Sequence, residues 1–315
     1  MRTISITGAS GFIGAHLLRC LLEREDVAIR ALSHRAEHRG LPRSPRLKWI
    51  TGDLAAPQML EALVATGCDL VHLAYPQGWS HEQHIAATQA LADTALSAGV
   101  RRIVHCSTAV VVGRTAVRRI DEDTPPEPAP GYEATKLEIE RCWFERCRGR
   151  AEVAVLRPTA VYGSGGKNLL KLARDLRTGS TLTNYLRSSL HGRRRMNLVH
   201  VSNVVAALEF LLDREPAGAQ ETYIISDDEE PANNFRDIER LLMQAWGMPY
   251  YALPPAPLPG IGLSLVLRAL GRSNAAPDRI YDDSRLRQSG LRKPCTLERG
   301  LRDFASWYAR EEAAP

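Results

Sequence analysis

The first fourteen residues constrain this chain more than any other stretch. An apolar run, Arg2-Thr-Ile-Ser-Ile-Thr7, leads into Gly8-Ala-Ser-Gly11-Phe12-Ile13-Gly14, and a helical pattern of apolar residues covers 12–24. Glycines at this spacing on a strand-to-helix junction have separate tasks. Gly8 permits the tight turn, Gly11 lets a pyrophosphate approach the backbone, and Gly14 lets the helix lie close on the strand. The free amides at a helix N-terminus favour an anion at the same spot. The pattern therefore predicts a dinucleotide site on Gly8, Gly11, Phe12, Ile13 and Gly14.

The rest of the first half keeps the rhythm that such a site requires. Strand patterns fall at 3–7, 27–32, 47–50, 70–73, 102–107 and 153–156, with helical patterns at 12–24, 59–66, 83–98 and 132–146 between them. Alternation of this kind predicts an α/β fold, a doubly wound parallel sheet of the Rossmann type with right-handed crossovers. After Pro158 the rhythm breaks into longer loops, with helical patterns at 204–212 and 235–246, a strand at 222–225 and a Pro-rich loop at 249–259. We expect a dinucleotide-binding domain over 1–158 and a smaller C-terminal substrate lobe over 159–315, with 199–212 free to pack back on the core. The apolar run 258–270 reads as a helix of that lobe.

The cofactor is read at the strand ends. NAD sites place an acid after the second strand to accept from the adenosine ribose. This chain has Ser33, His34 and Arg35 there, and Arg35 would suit a 2′-phosphate, so NADP is expected ahead of NAD. Asp53 and Leu54 follow the third strand, where an Asp can meet the adenine amino group. Leu73 and Ala74 end the fourth, where small residues line the dinucleotide.

Tyr132-Glu-Ala-Thr-Lys136 opens a helix, and residues four apart share a face. A tyrosine phenol titrates at about 10, and a neighbouring ammonium favours the phenolate, so Lys136 is expected to bring Tyr132 toward neutrality. Upstream lies Cys106-Ser107-Thr108-Ala109-Val110-Val111-Val112-Gly113, downstream Leu156-Arg157-Pro158, and beyond them Leu198-Val-His200-Val-Ser-Asn203. With these motifs the whole chain resembles the extended short-chain dehydrogenase/reductases, in their nucleotide-sugar epimerase/dehydratase branch.

That resemblance implies a Thr108, Tyr132, Lys136 triad, with Ser107 as the fallback hydroxyl, Lys136 also holding the nicotinamide ribose, and Pro158 beside the cofactor. It implies hydride transfer on a nucleotide-activated sugar, as a 4-epimerase or 4-keto-sugar reductase. Asn168, next to Lys167, and Arg195, within Arg193–Arg195, would then grip the substrate diphosphate. The sugar dehydratases carry an Asp-Glu pair where this chain has Ala109 and Val110, which argues against dehydration. An NADP-dependent dehydrogenase acting on a steroid- or flavonoid-like ketone and a non-catalytic NAD(P) sensor are the alternatives. A homodimer through helices 83–98 and 132–146 would be in keeping with the family.

Bulk properties narrow the field. The formal charge of +5 comes with Arg clusters but no nucleic-acid recognition motif, so small anionic ligands are the better fit. Six cysteines without a Cys-x-x-Cys pair read as small core residues in a reducing compartment. No signal-peptide pattern precedes the first strand and no apolar run reaches ~18 residues, so a cytoplasmic location without a transmembrane helix is expected. His81 and His84 lack further metal ligands and read as surface or substrate-lining, His72 and His105 as packing residues. No metal is expected.

Overall fold

The computed structural model describes residues 1–35, 40–215, 220–253 and 278–313. The apolar run 258–270 and the end of the 249–259 loop lie outside the described residues. In chain order the elements are β1 Arg2–Thr7, α1 Phe12–Glu23, β2 Val27–Ser33, β3 Leu47–Thr51, α2 Pro57–Leu63, β4 Asp69–His72, α3 His81–Ser97, β5 Arg102–Cys106, β6 Arg119–Ile120, α4 Tyr132–Cys147 and β7 Glu152–Pro158. There follow β8 Ala160–Tyr162, α5 Leu170–Thr178, α6 Thr181–His191, β9 Leu198–His200, α7 Val201–Asp213, β10 Gln220–Ile225, α8 Phe235–Ala245, β11 Ile280–Tyr281, α9 Ser284–Gln288 and α10 Leu297–Ala313.

Two compact units share the chain. Met1–Val111, Pro128–Arg157 and Val205–Tyr223 form one, and Val112–Glu127, Pro158–Val204 and Ile224–Pro315 the other. Each is assembled from separate stretches of sequence.

The first unit carries a seven-stranded parallel sheet in the order β10-β7-β5-β4-β1-β2-β3. Strands covered on both faces read as continuous apolar runs rather than alternating ones. Accordingly Ile4, Ile6, Leu70, Val71, Ile103 and Val104 are all sealed from solvent. Helix α3 starts at a capping box, in which Ser80 Oγ accepts from Gln83 N at 3.3 Å and Gln83 Oε1 accepts from Ser80 N at 2.8 Å. It packs with Trp143 of α4 over one side of the sheet. Sheet order reverses between β1 and β4, and the register pairs Thr7 with both Leu32 and His72. The carboxyl ends of the three central strands thus lie level at the switch point, where open α/β sheets take their ligands.

The second unit has its own core of Tyr162, Leu169, Ile238, Leu242, Leu301 and Phe304. Two helices, α5 and α6, stand where the sequence suggested loops. In α5 only Leu172, Ala173 and Leu176 are buried. In α6 Asn184 and Ser188 are buried while Leu182 and Leu186 lie exposed. With polar residues inward and leucines outward, α6 shows no apolar stripe on its buried side to reveal it. A buried polar cluster keys this unit. Asn203 donates to Asp227 Oδ1 at 2.9 Å and to the Cys295 carbonyl at 2.8 Å, and accepts from Cys295 N at 3.0 Å. Asn203 therefore ties chain segments together within the unit.

Candidate active site

The glycine turn closes on the fourth strand's exit. Gly8 has φ +72°, and a Cβ there would stand 2.7 Å from the Ala74 amide nitrogen. A Cβ on Gly14 would overlap the Gly8 carbonyl and the Ala9 backbone. Gly11, the N-cap of α1, brings no side chain to its first-turn amides, and no acid stands in that turn, which suits an anion. Gly14→Ala has backbone on two sides and nothing flexible to move, so it is expected to lower unfolding free energy by about 1–3 kcal/mol. It should also weaken NAD(P)(H) binding about tenfold or more as the turn shifts. Urea unfolding and a cofactor fluorescence titration measure the two effects.

Next to this turn is a cleft of about 610 Å³, within the size range of small-molecule sites. Gly8 and Gly11 line it, with Leu73 and Ala74 from the β4 exit. His34 and Arg35 from the end of β2, and Asp53 and Leu54 from the end of β3, line it as well. Ser33 Oγ donates to the Arg35 carbonyl at 3.1 Å and accepts from its amide at 3.2 Å, which shapes the turn beneath Arg35. Asp53 accepts from Ala55 N at 2.9 Å. A turn with no room for a side chain and uncapped amides fit a dinucleotide. Phe12, Ile13 and Gly14 are not among the lining residues. They begin α1, and Gly14 serves the contact with the turn. Tyr75 and Trp79 line the cleft and were not singled out from sequence. The one available signal was Tyr75's place directly after Leu73-Ala74.

Helix α4 is entered through Gly131, whose φ of +91° only glycine adopts readily. This turn sets Tyr132 at the first helical position, 48% exposed. The Thr108 side chain, just beyond β5, faces the Tyr132 phenol and acts to lower its pKa. Lys136 is 3% exposed and donates from Nζ to the Cys106 carbonyl at 2.9 Å. Ser107 Oγ is buried without a hydrogen-bond partner in the structure. The expectation that Lys136 brings Tyr132 toward neutrality is corrected here. Desolvation, with Cys106 and Tyr75 alongside, pushes the phenol up to about 12 against the lowering effect of Thr108. Burial likewise moves Lys136 down, and its ammonium is turned to the Cys106 carbonyl.

Four histidines surround this group. His72 and His105 stack at 5.1 Å beside Trp143, and burial lowers both, His72 to about 3. They are packing residues, with Thr7 Oγ1 2.7 Å from His72 Nδ1. His84 is 4% exposed, which corrects its reading as a surface or substrate-lining residue. It turns inward from α3 and stacks on Tyr75. His81 Nδ1 lies 3.0 Å from Thr135 Oγ1.

The remaining candidates belong to the second unit. Asn168 donates to the Val161 carbonyl at 2.7 Å. Arg195 donates to the Asp228 and Glu230 carbonyls at 3.2 and 3.0 Å. Pro158 is buried at the end of β7. Of the cysteines, Cys20 is half-buried, with Sγ donating to Glu209 at 2.9 Å, and the other five are buried; all six are free. Among the described residues no helix is long and apolar enough to cross a membrane.

The NAD dependent epimerase/dehydratase family matches residues 4–226. A 4-hydroxy-2-methyl-3-oxo-4-farnesyl-3,4-dihydroquinoline-1-oxide ketoreductase of Stigmatella aurantiaca is 27% identical, over 96% of this chain and 95% of its own length. A UDP-glucose 4-epimerase of Vibrio cholerae is 26% identical over 98% and 95% respectively. In fold, the UDP-glucose 4-epimerase of Thermotoga maritima, solved with UDP-glucose, superposes with a TM-score of 0.71 at 17% identity, covering 99% of this chain and 100% of that one. The chain belongs to the NAD dependent epimerase/dehydratase family and is an enzyme of the extended short-chain dehydrogenase/reductase type.

Proposed function

We propose that the protein moves hydride between NADP(H) and a hydroxyl- or keto-bearing carbon of a nucleotide-activated sugar, as a 4-epimerase or 4-keto-sugar reductase. The observation that carries this reading is the convergence of Thr108, Tyr132 and Lys136 in one unit, beside a cleft lined by Gly8 and Gly11. The sugar-epimerase relative of Vibrio cholerae supports the substrate class.

The cleft would hold the dinucleotide, whose nicotinamide supplies or accepts the hydride when bound. Tyr132 gives its phenolic proton to the substrate oxygen in the reducing direction and takes it back in the oxidising one. Thr108 hydrogen-bonds the same oxygen and the phenol. Lys136 keeps a positive charge near the phenolate that forms. A phenol raised to about 12 keeps its proton at neutral pH, which suits an acid in the reducing direction. The dehydratase step is not part of this reading, because Ala109 and Val110 offer no acid. A homodimer through α3 and α4, which pack side by side, and a cytoplasmic location go with it.

A second reading has a specific observation behind it. Asn168 and Arg195 already donate to backbone carbonyls of their own unit, which weakens their claim on a diphosphate. A ketone without a nucleotide, of the kind named for the Stigmatella relative, needs no such grip.

Mass spectrometry of the small molecule released on denaturation is the first test. Near-stoichiometric NAD favours an epimerase that recycles its cofactor and removes the NADP preference. An empty protein that oxidises NADPH with 4-keto nucleotide sugars, and not with apolar ketones, supports a reductase; the opposite substrate pattern supports the second reading. For the cofactor itself, Arg35→Ser is expected to weaken NADPH about tenfold while moving NADH less than about twofold, the effect of one exposed charge-assisted contact to phosphate. Isothermal titration with both cofactors checks it.

A further inference from the structure

Tyr75 is held on three sides. His84 stacks on its ring with centroids 4.0 Å apart and planes 14° from parallel. Since His84 is itself buried, this backing is fixed. Tyr132 meets Tyr75 edge-on, 5.1 Å between centroids at 84°. Lys136 Nζ lies 5.5 Å from the Tyr75 centroid, within the distance at which a ring attracts an ammonium. Thr135, the residue before Lys136 on α4, acts to lower the Tyr75 phenol against the rise that burial causes.

Lys136 is in need of such a neighbour. An ammonium has three donors, and among the described residues the Cys106 carbonyl is its one hydrogen-bond acceptor. Glu140, one turn along α4, contributes attraction but is bound to Arg157. The other titratable groups facing the site carry no compensating charge. Burial holds His72, His84 and His105 below the ordinary imidazole value. It also pushes the Cys106 thiol up to about 11, and Tyr132 is protonated at neutral pH.

We propose that Tyr75 is a positioning residue for the Tyr132–Lys136 pair: its ring holds the Lys136 ammonium in the charged form and its edge contact orients the Tyr132 ring, with His84 as the backing. The inference rests on the reading of Tyr132 and Lys136 as the proton-handling pair. It adds to that reading a residue that also lines the cofactor cleft, so the charge that assists proton transfer is tied to the wall of the cofactor site.

The test is an NMR titration of the whole chain labelled in lysine. There are five lysines, at positions 48, 136, 167, 171 and 293, so the Lys136 signal is assigned by its loss in Lys136→Met. Tyr75→Leu is expected to lower the Lys136 titration midpoint by about one pH unit, the size of a desolvated cation–ring contact. Tyr75→Phe, which keeps the ring, is expected to recover most of that shift. An unmoved midpoint in Tyr75→Leu overturns the proposal. A shift in Tyr75→Phe as large as in Tyr75→Leu also overturns it, since the hydroxyl and not the ring would then be responsible. Should Tyr75→Leu not fold, His84→Ala removes the backing and carries the same expectation at smaller size, with no shift again counting against the idea. The titration needs no substrate, so its failure is separate from a failure of the hydride-transfer reading, which is decided by activity.

Discussion

Tyr132→Phe is expected to lower kcat by about 10²–10⁴-fold, the usual contribution of one positioned acid or base, with NAD(P)(H) affinity changed less than about threefold. The phenol is the group that Thr108 acts on, and phenylalanine keeps the edge contact with Tyr75 while removing the proton. The loss should therefore fall on kcat. Thr108→Ala is expected to reduce kcat in the same direction but less, since the phenol remains and only the Thr108 hydroxyl is lost. A Tyr132→Phe variant that retained full biological activity would instead favour the non-catalytic NAD(P)-sensor reading, in which the pair is not used chemically.

The largest expected effect on stability comes from a pair that the chemistry does not use. Arg157 at the end of β7 and Glu140 of α4 are 7% and 2% exposed in their side chains. The guanidinium grips the carboxylate in a fork, Nε to Oε1 at 3.1 Å and Nη2 to Oε2 at 2.6 Å. Glu140→Ala leaves the arginine charge buried without its partner, which is expected to cost about 3–5 kcal/mol of unfolding free energy. Replacing both together, Glu140→Leu with Arg157→Met, should recover most of that loss, because well-packed apolar groups of similar size avoid the desolvation penalty. Urea unfolding of the single and double variants gives the comparison. If the single variant loses less than about 1 kcal/mol, the pair behaves like an exposed one and the burial argument fails. Glu140 lies one turn beyond Lys136, so the single variant should also loosen the helix that carries Tyr132 and Lys136.

Particular residues show which parts of the fold and site were legible. The six strand patterns of the first half match β1 to β5 and β7 to within two residues at either end. Parallel strands buried on both faces announce themselves as apolar runs without help from distant sequence. The glycine turn was legible for the same reason, since Gly8 and Gly14 respond to backbone a few residues away or to the adjoining strand exit. Helices α5 and α6 were not, because α6 buries Asn184 and Ser188 and exposes Leu182 and Leu186, the reverse of the pattern that marks an amphipathic helix. Tyr75 was missed because a single aromatic residue in a loop has no period. The importance of its ring follows from His84, Tyr132 and Lys136, which lie on two other elements.

Sequence alone determined the parallel α/β sheet, the turn that suits a dinucleotide and the Tyr132–Lys136 spacing, because each depends on steric and periodic rules acting over roughly fifteen residues or fewer. Only the tertiary structure decided the state of the groups so arranged. Lys136 turns to the Cys106 carbonyl, burial pushes the Tyr132 phenol up, His84 faces inward and Arg195 binds carbonyls of its own unit. These outcomes depend on which segments remove each side chain from water and which partners they bring. Burial and partnership are set by residues far apart in the chain, such as Cys106 and Lys136 or Arg195 and Glu230, and no local pattern encodes them.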